Sequence, residues 1–425
     1  MSDVKTADRE DGEKSDGFFQ KLLSIGEIRS DVALQLFGAA ILIGFMFNFN
    51  RWENENLISL AARDGHWAIC WPFFQSCYDW MFMSARPDGY TQNTIFMLML
   101  GVIFAGSYAL LSRKFSLAHA CIFILFLWEC YVVLISYLHT SNYYYYHLTF
   151  CIIYLFLPYK RFFGSLSIVF FYFLSTAAKI HESWTLGAYF SAMKTELPLF
   201  PEGYAFIWTN ILIFKEMFVA WFLFSKNKAL QRSVFWFYVA FHLYSGLLVQ
   251  YQYPVIVTPM LIIFFGPLYK PFKEAPHDRK SAPGWLLFAA LLMSQLFSNM
   301  IPGDEKLTME GNFYGLAMFA ANHQCIVNVR DENDEVLWHI EESNARRRCD
   351  AYRYWFQSKK LFCDDTSGKK FHLLIDHSIN GGPFLEIVNE KDLCSLSYNP
   401  WGRNEWIKTE DEAKPVGRPL QNAYY

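Results

Sequence analysis

The stretch LAHACIFILFLWECYVVLISY, residues 117–137, indicates the fold class, because Glu129 is its only side chain with a full charge at pH 7. A helix needs about 20 mostly apolar residues to cross the hydrocarbon core of a bilayer. Comparable stretches recur between residues 32 and 299, and the chain is 53% hydrophobic and only 18% charged. Soluble domains carry about 25% charged residues. The sequence therefore predicts an integral membrane protein, with the lipid bilayer as its first partner.

The apolar stretches predict nine membrane-spanning helices. They lie near residues 32–49, 93–111, 117–137, 143–159, 165–181, 205–224, 233–250, 254–269 and 284–299. The segments 143–159 and 254–269 are short for a span, so a re-entrant segment is an alternative for either and eight spans is the alternative count.

The basic residues between these stretches predict the orientation. Alternate loops, beginning with residues 1–31, hold sixteen Lys and Arg residues. The opposite loops hold four, which are Arg51, Arg63, Arg86 and Lys194. Cytoplasmic loops carry the excess of basic residues. We therefore expect a multi-pass protein of a bacterial inner membrane or the endoplasmic reticulum, with its N-terminus in the cytoplasm and its C-terminus on the exoplasmic side.

The distribution of charge divides the chain into three parts. Residues 1–31 form a cytoplasmic polar tail, 32–299 the transmembrane helical domain, and 300–425 a small exoplasmic α+β domain. In the last part, QCIVNVRD and EVLWHI alternate around a DEND turn, which predicts a hairpin. A helix within 343–362 and strands at FHLLIDHSI and GPFLEIV follow. The predicted fold class is an all-α polytopic membrane bundle followed by a small mixed α+β domain.

The nine cysteines fit this orientation. Six of them fall on the predicted exoplasmic side, namely Cys70, Cys77, Cys325, Cys349, Cys363 and Cys394. An even number in an oxidising compartment predicts disulfides, although spacing does not fix their pairing. C-x-x-C pairs are absent, so no metal site is predicted. The net charge of −3 does not favour a nucleic-acid partner.

Several polar side chains occupy positions that lipid disfavours. Lys179 ends the apolar stretch SLSIVFFYFLSTAAK, and it either snorkels to the interface or provides a buried, uncharged amine that can act as a base. Asn142 and His242 lie near the same depth, although a lone histidine in a helix is more often a packing residue.

Three acidic and basic residues lie deeper in the apolar stretches. Lys215 and Glu216 are adjacent and face different sides of a helix, so an ion pair between them is not expected. Glu129 is a candidate partner for Lys215 or for a histidine.

Four segments resemble vitamin K-dependent gamma-carboxylases and the wider horizontally transferred transmembrane domain superfamily. FYFLSTAAKIHESWTLGAYFS resembles the family segment that carries the catalytic lysine, and VAFHLYSGLLVQYQYPVIVTPMLIIFF resembles its Phe-His helix. SNYYYYHLTFCIIYLF is similar to the family's Asn-containing helix start, and PGDEKLTMEGNFYGLAMF to the start of its exoplasmic domain. Two positions depart from the family pattern: Ala178 stands where a second lysine is usual, and Tyr143 where a histidine is usual.

The resemblance implies a membrane enzyme, a carbon–carbon lyase that carboxylates glutamate in a secreted peptide or protein. Its cofactor would be a reduced vitamin K-type (menaquinone-type) hydroquinone, with O2 and CO2 as co-substrates, epoxidation of the quinol driving the carboxylation, and no metal. Lys179 would deprotonate the hydroquinone, while Asn142 and His242 would orient the quinone oxygens.

The residues predicted to bind the isoprenoid quinone are Tyr143, His147, Trp184 and Tyr244. The alternative function is a non-catalytic membrane protein of the same superfamily that serves the maturation or export of a secreted peptide. A transporter is disfavoured, because the apolar stretches show no inverted repeat.

Overall fold

A computed structural model of the chain shows a helical bundle and a small antiparallel sheet, with about 60% of the described residues in helices. It describes residues 23–54, 69–77, 90–135, 137, 142–188, 199–248, 251–298, 300–301, 306–316, 322–342, 349–364 and 368–417. Most of the polar tail, residues 1–22, lies outside these ranges.

Twelve α-helices are described, and most of those before residue 300 are apolar along most of their length. They are α1 Ile25–Ser30, α2 Val32–Asn54, α3 Tyr90–Leu111, α4 Phe115–Ile135, α5 Asn142–Phe156, α6 Lys160–Ala177, α7 Glu182–Thr185, α8 Ala205–Met217, α9 Lys228–Leu248, α10 Gln252–Phe265, α11 Ala282–Ser298 and α12 Ala351–Phe362. Short 3₁₀ helices cover Glu202–Tyr204, Val219–Phe224, Arg279–Ser281, Asn312–Tyr314 and Leu393–Ser395.

A helix lies at each of the nine predicted stretches, but not all of them are long enough to cross a bilayer. Among the described residues, three helical segments are long and apolar enough to do so, namely Phe115–Ile135, Ala205–Phe224 and Arg279–Ser298. Val32–Asn48, Met97–Leu111 and Tyr253–Phe265 are apolar but shorter. The membrane helices are therefore confirmed in this coarser form, and the count of nine spans stays a prediction.

The outward faces of several helices are apolar. Trp236 on α9 is 64% exposed and Leu286 on α11 is 68% exposed. Large contiguous apolar surfaces are rare on soluble monomers and normal where lipid covers the protein. This surface agrees with helices that lie in a bilayer.

The first helix is part of the bundle, although residues 1–31 were predicted to be a polar tail. Ile25 and Ile28 of α1 are buried, and the Glu27 carboxylate accepts hydrogen bonds from the backbone N–H groups of Tyr159 and Lys160 at 2.9 and 3.0 Å. A carboxylate at this position caps the N-terminus of α6 and interacts favourably with its dipole. Residues 25–30 therefore form a packed helix at the end of this polar segment, and the division of the chain into three parts stays a prediction.

Two glycines allow helices to approach α6 closely. A Cβ atom on Gly284 of α11 would overlap the ring of Phe163, and one on Gly164 would lie 2.5 Å from Cζ of Phe264 in α10. Aromatic rings therefore occupy the space that a larger residue would take.

The C-terminal part contains a five-stranded antiparallel sheet in the order β2-β1-β3-β4-β5. The strands are β1 His323–Arg330, β2 Val336–Glu342, β3 His372–Ile379, β4 Phe384–Glu390 and β5 Lys414–Gly417. The predicted β1–β2 hairpin is confirmed, with Val327 opposite Ile340, and α12 packs beside β3. The sequence did not predict β5, because its four residues are exposed and include Pro415.

Three disulfides connect the six cysteines, which confirms the prediction that these residues form disulfides. The pairs are Cys70–Cys77, Cys325–Cys349 and Cys363–Cys394. Cys121, Cys130 and Cys151 are free thiols within helices.

The segment 69–77 connects the helices to the C-terminal part. The indole N–H of Trp71 donates to the Val133 carbonyl of α4 at 2.6 Å. From the other direction, the Tyr352 hydroxyl of α12 donates to the Cys70 carbonyl at 2.7 Å, and the Gln75 amide donates to the Tyr398 carbonyl at 3.1 Å. This segment therefore lies between the bundle and the sheet.

Candidate functional site

Lys179 lies in the turn that ends α6, and its side chain is buried. The residue is 2% exposed, and its Nζ donates a hydrogen bond to Oε2 of Glu216 on α8 at 2.6 Å. The indole of Trp184 lies 5.6 Å from the same nitrogen, measured to the ring centroid. Lys179 therefore does not snorkel into water, and its amine is paired with Glu216 rather than isolated.

The Glu216 carboxylate has several partners besides Lys179. Its Oε2 also accepts a hydrogen bond from the Thr176 hydroxyl at 2.6 Å. Its Oε1 lies 3.8 Å from Nζ of Lys215, so the expectation that these two residues would not pair is wrong. The long, flexible stem of a lysine lets its amine return to a neighbouring residue's side chain although the two Cβ atoms face different directions. A buried carboxylate persists when such partners offset its desolvation.

His242 of α9 forms the second part of this site. Its Nε2 and the hydroxyl of Tyr172 on α6 share a short hydrogen bond, and the two rings stack with centroids 5.7 Å apart. Its Nδ1 is buried and has no hydrogen-bond partner among the described residues. His242 also interacts electrostatically with Lys215 and Glu216.

Helix geometry explains why the two parts adjoin. Tyr172, Thr176 and Lys179 are spaced i, i+4, i+7, so they lie on one face of α6. Tyr238 of α9 completes the connection: its ring lies 4.6 Å from that of Tyr172, and its hydroxyl donates to the Lys215 carbonyl at 2.7 Å. We call the set Tyr172, Thr176, Lys179, Lys215, Glu216, Tyr238 and His242 the α6 cluster.

The other predicted site residues have different surroundings. Asn142 and Tyr143 begin α5 and are buried, with the ring of Tyr143 against that of Tyr144. Tyr244 lies on the opposite side of α9 from His242, and its ring contacts Phe200. The structure therefore brings Lys179, Trp184 and His242 into one region and gives Tyr244 another.

His147, on α5, belongs to a second buried cluster together with Glu129 and Asn48. Its Nδ1 lies 2.8 Å from Oε2 of Glu129 on α4, which confirms a histidine as the partner of Glu129. The amide of Asn48 donates to Oε1 of Glu129 at 2.6 Å. The neighbouring Tyr146 faces the opposite way, with its ring against Phe171 and Tyr253. His147 is therefore held away from the α6 cluster.

Sequence reasoning missed the central role of Glu216 and the contribution of Tyr172. A carboxylate within an apolar helix is a signal that a partner exists. The sequence cannot say which helix carries that partner, because the packing of the helices is not visible in it. Tyr172 gave no signal, since a tyrosine in an aromatic-rich helix is unremarkable.

No known protein family, curated protein or solved structure matches the chain.

Proposed function

We propose that the chain is a multi-pass membrane protein with nine spanning helices, a cytoplasmic N-terminus and an exoplasmic C-terminal part. Helices at all nine apolar stretches support this topology, as does the unequal distribution of basic residues. All three disulfides join residues on the side proposed to be exoplasmic, where such bonds form and persist.

Within this frame, we propose that the α6 cluster is the proton-transfer site of a gamma-carboxylase-like enzyme that uses a reduced vitamin K-type hydroquinone. The observation that carries the proposal is the buried Lys179–Glu216 pair, with a nitrogen–oxygen distance of 2.6 Å. Ionisable pairs within membrane helices are costly and are typical of functional sites. The choice of hydroquinone and glutamate rests on the resemblance of the segments around Lys179 and His242.

The residues of the cluster fit such a cofactor. A hydroquinone presents an aromatic ring and two hydroxyl groups. The cluster offers the ring of Tyr238 and Nδ1 of His242, which has no hydrogen-bond partner among the described residues, and the ring of Trp184 lies beside the cluster. When bound, the hydroquinone would supply, with O2, the strong base that removes a glutamate γ-proton before CO2 adds to that carbon.

The protein's own contribution is to accept and hold a proton. Lys179 is the proposed acceptor: its amine can take the hydroquinone proton in the state in which its own extra proton has passed to Oε2 of Glu216, 2.6 Å away. The Thr176 hydroxyl, which donates to the same oxygen at 2.6 Å, holds Glu216 in position beside the amine. The burial of these groups excludes water, which would compete for the proton.

The test is a turnover assay on purified protein with vitamin K hydroquinone, O2, labelled CO2 and a glutamate-containing peptide. The wild type is expected to form epoxide and labelled peptide, and Lys179→Ala is expected to abolish both while the protein remains folded. Lys228→Ala, at an exposed position in the first turn of α9, is the matched control and should keep full activity. Equal epoxidation by Lys179→Ala and the wild type would show that the proton-transfer assignment is wrong.

The second candidate is a non-catalytic membrane protein that serves the maturation or export of a secreted peptide. The paired state of Glu216 favours it, because the hydrogen bonds from Lys179 and Thr176 connect the end of α6 to α8 and so have a structural role without any cofactor. In that case folded wild-type protein gives neither epoxide nor labelled peptide.

A further inference from the structure

We propose that Glu129, His147 and Cys151 form a binding site for a divalent metal ion of the Zn²⁺ class. One ligand atom of each residue lies within 4.8 Å of the others, and all three residues are buried. The nitrogen, oxygen and sulfur donors form a set that suits Zn²⁺ and similar late first-row ions better than Mg²⁺ or Ca²⁺.

Helix geometry places these donors together. His147 and Cys151 are four residues apart in α5 and therefore lie on one face of that helix. Glu129 approaches them from α4. Cys151 is a free thiol, so its sulfur is available as a ligand.

The orientation of the His147 ring gives an independent indication of a cation. Its Nε2 lies 3.0 Å from the Ile41 carbonyl oxygen, which can only accept a hydrogen bond, so Nε2 carries a proton. Metal-binding histidines usually donate their other ring N–H to such an acceptor. Nδ1 therefore faces the Glu129 carboxylate, 2.8 Å away.

Two acceptor atoms at that distance repel each other unless a positive species lies between them. A proton can occupy this position in the structure as it stands. A tetrahedral zinc ion would require a nitrogen–oxygen separation of roughly 3.4 Å, so these two atoms would have to move apart by about 0.6 Å. The metal would then also bind Cys151, which a proton leaves unused.

Two features outside the three ligands support the arrangement. The Asn48 amide donates to Oε1 of Glu129 at 2.6 Å and so directs Oε2 toward His147. Gly44 in α2 leaves room for the imidazole, because a Cβ atom there would overlap its Nε2. Both features hold the donors in position before an ion arrives.

The experiment uses the full-length protein in detergent, stripped with a chelator and then supplied with Zn²⁺ or Co²⁺ alone. We expect one equivalent of metal per chain and, with Co²⁺, the charge-transfer absorption of a thiolate–metal bond. Cys151→Ser should remove that absorption, and Glu129→Gln should weaken binding by about 10-fold or more. Cys121→Ser is the matched control, since this thiol lies on α4 outside the three proposed ligands, and it should retain the absorption.

Folding of each variant is checked by its thermal midpoint, and His147→Gln serves if Cys151→Ser does not fold. Folded wild-type protein that binds no metal would show that a proton occupies the site and would overturn the proposal. Metal binding that survives both Cys151→Ser and His147→Gln would overturn it as well. The experiment needs no hydroquinone, so its result is separate from that of the turnover assay.

Discussion

Glu216 is the residue on which the buried charges of α6 and α8 converge. We expect Glu216→Gln to destabilise the protein by about 3–5 kcal/mol, because the ammonium of Lys179 is left buried without its counter-charge. The measurement is the free energy of unfolding in mixed micelles.

The triple variant Glu216→Leu with Lys179→Met and Lys215→Met is the control for this prediction, because Lys215 also lies beside Glu216. Replacing all three charges with apolar side chains removes the desolvation cost, so most of the lost stability should return. Equal losses in the single and triple variants would mean that the charges do not interact.

Glu310, in the segment before the sheet, makes stability depend on pH. Burial raises its pKa to about 7 from 4.5, although two hydrogen bonds from Asn404 to Oε1 oppose the shift. The folded state therefore keeps this proton up to about pH 7, whereas the unfolded chain releases it near pH 4.5. Stability should fall by about 3 kcal/mol as the pH rises through this interval.

Glu310→Gln tests that dependence. A glutamine keeps the acceptor oxygen that Asn404 uses and cannot ionise. We expect the variant to be more stable than the wild type above pH 7 and to lose this part of the pH dependence, as measured by unfolding at pH 5 and pH 8. An unchanged slope between these two values would contradict the assignment.

The packing of α11 on α6 depends on a glycine. Alanine normally stabilises a helix interior by up to about 1 kcal/mol over glycine. At Gly284 we expect the opposite, a loss of about 1–3 kcal/mol, because the new methyl group would overlap the ring of Phe163. Gly101→Ala in α3 is the control, since open space surrounds that position, and it should be neutral or stabilising. Thermal unfolding of the two variants provides the comparison.

The nine helices of the bundle at the predicted stretches were predictable from the sequence because each one lies in an apolar stretch between polar segments. The same was true of β1 and β2, whose alternating pattern and DEND turn define a hairpin. Which helices pack against each other was not predictable in this way. The apolar faces of α4, α5 and α6 are chemically alike, so nothing in the sequence assigned Glu129 to His147 or Glu216 to Lys179.

At the scale of the whole molecule, the proposed topology predicts which loops are accessible from outside the cell or from the lumen. An epitope inserted after His277, in the exposed segment between α10 and α11, should be protected from protease that is added to the exoplasmic side of intact membranes. One inserted after Gly368, in the exposed segment before β3, should be cleaved. Cleavage of both, or of neither, in intact membranes would contradict an odd number of spans between them.

The candidate site was partly predictable because charges in apolar helices are conspicuous. Lys179 and His242 were identified for that reason, and both belong to the α6 cluster. Tyr244 was not placed with them, because two residues along α9 correspond to a turn of about 200° around the helix. A residue that is close to His242 in the sequence is therefore not necessarily part of the site.

The position of segment 69–77 between bundle and sheet has a consequence for biosynthesis. Its partner Tyr352 is 282 residues further along the chain. At ordinary translation rates, it leaves the ribosome roughly 15–60 s after Cys70. Until then Trp71 and the aromatic side chains around it lack the C-terminal residues that pack on this segment in the folded protein. Prematurely terminated chains should therefore be recognised by proteases, and only chains synthesised almost to the end should accumulate.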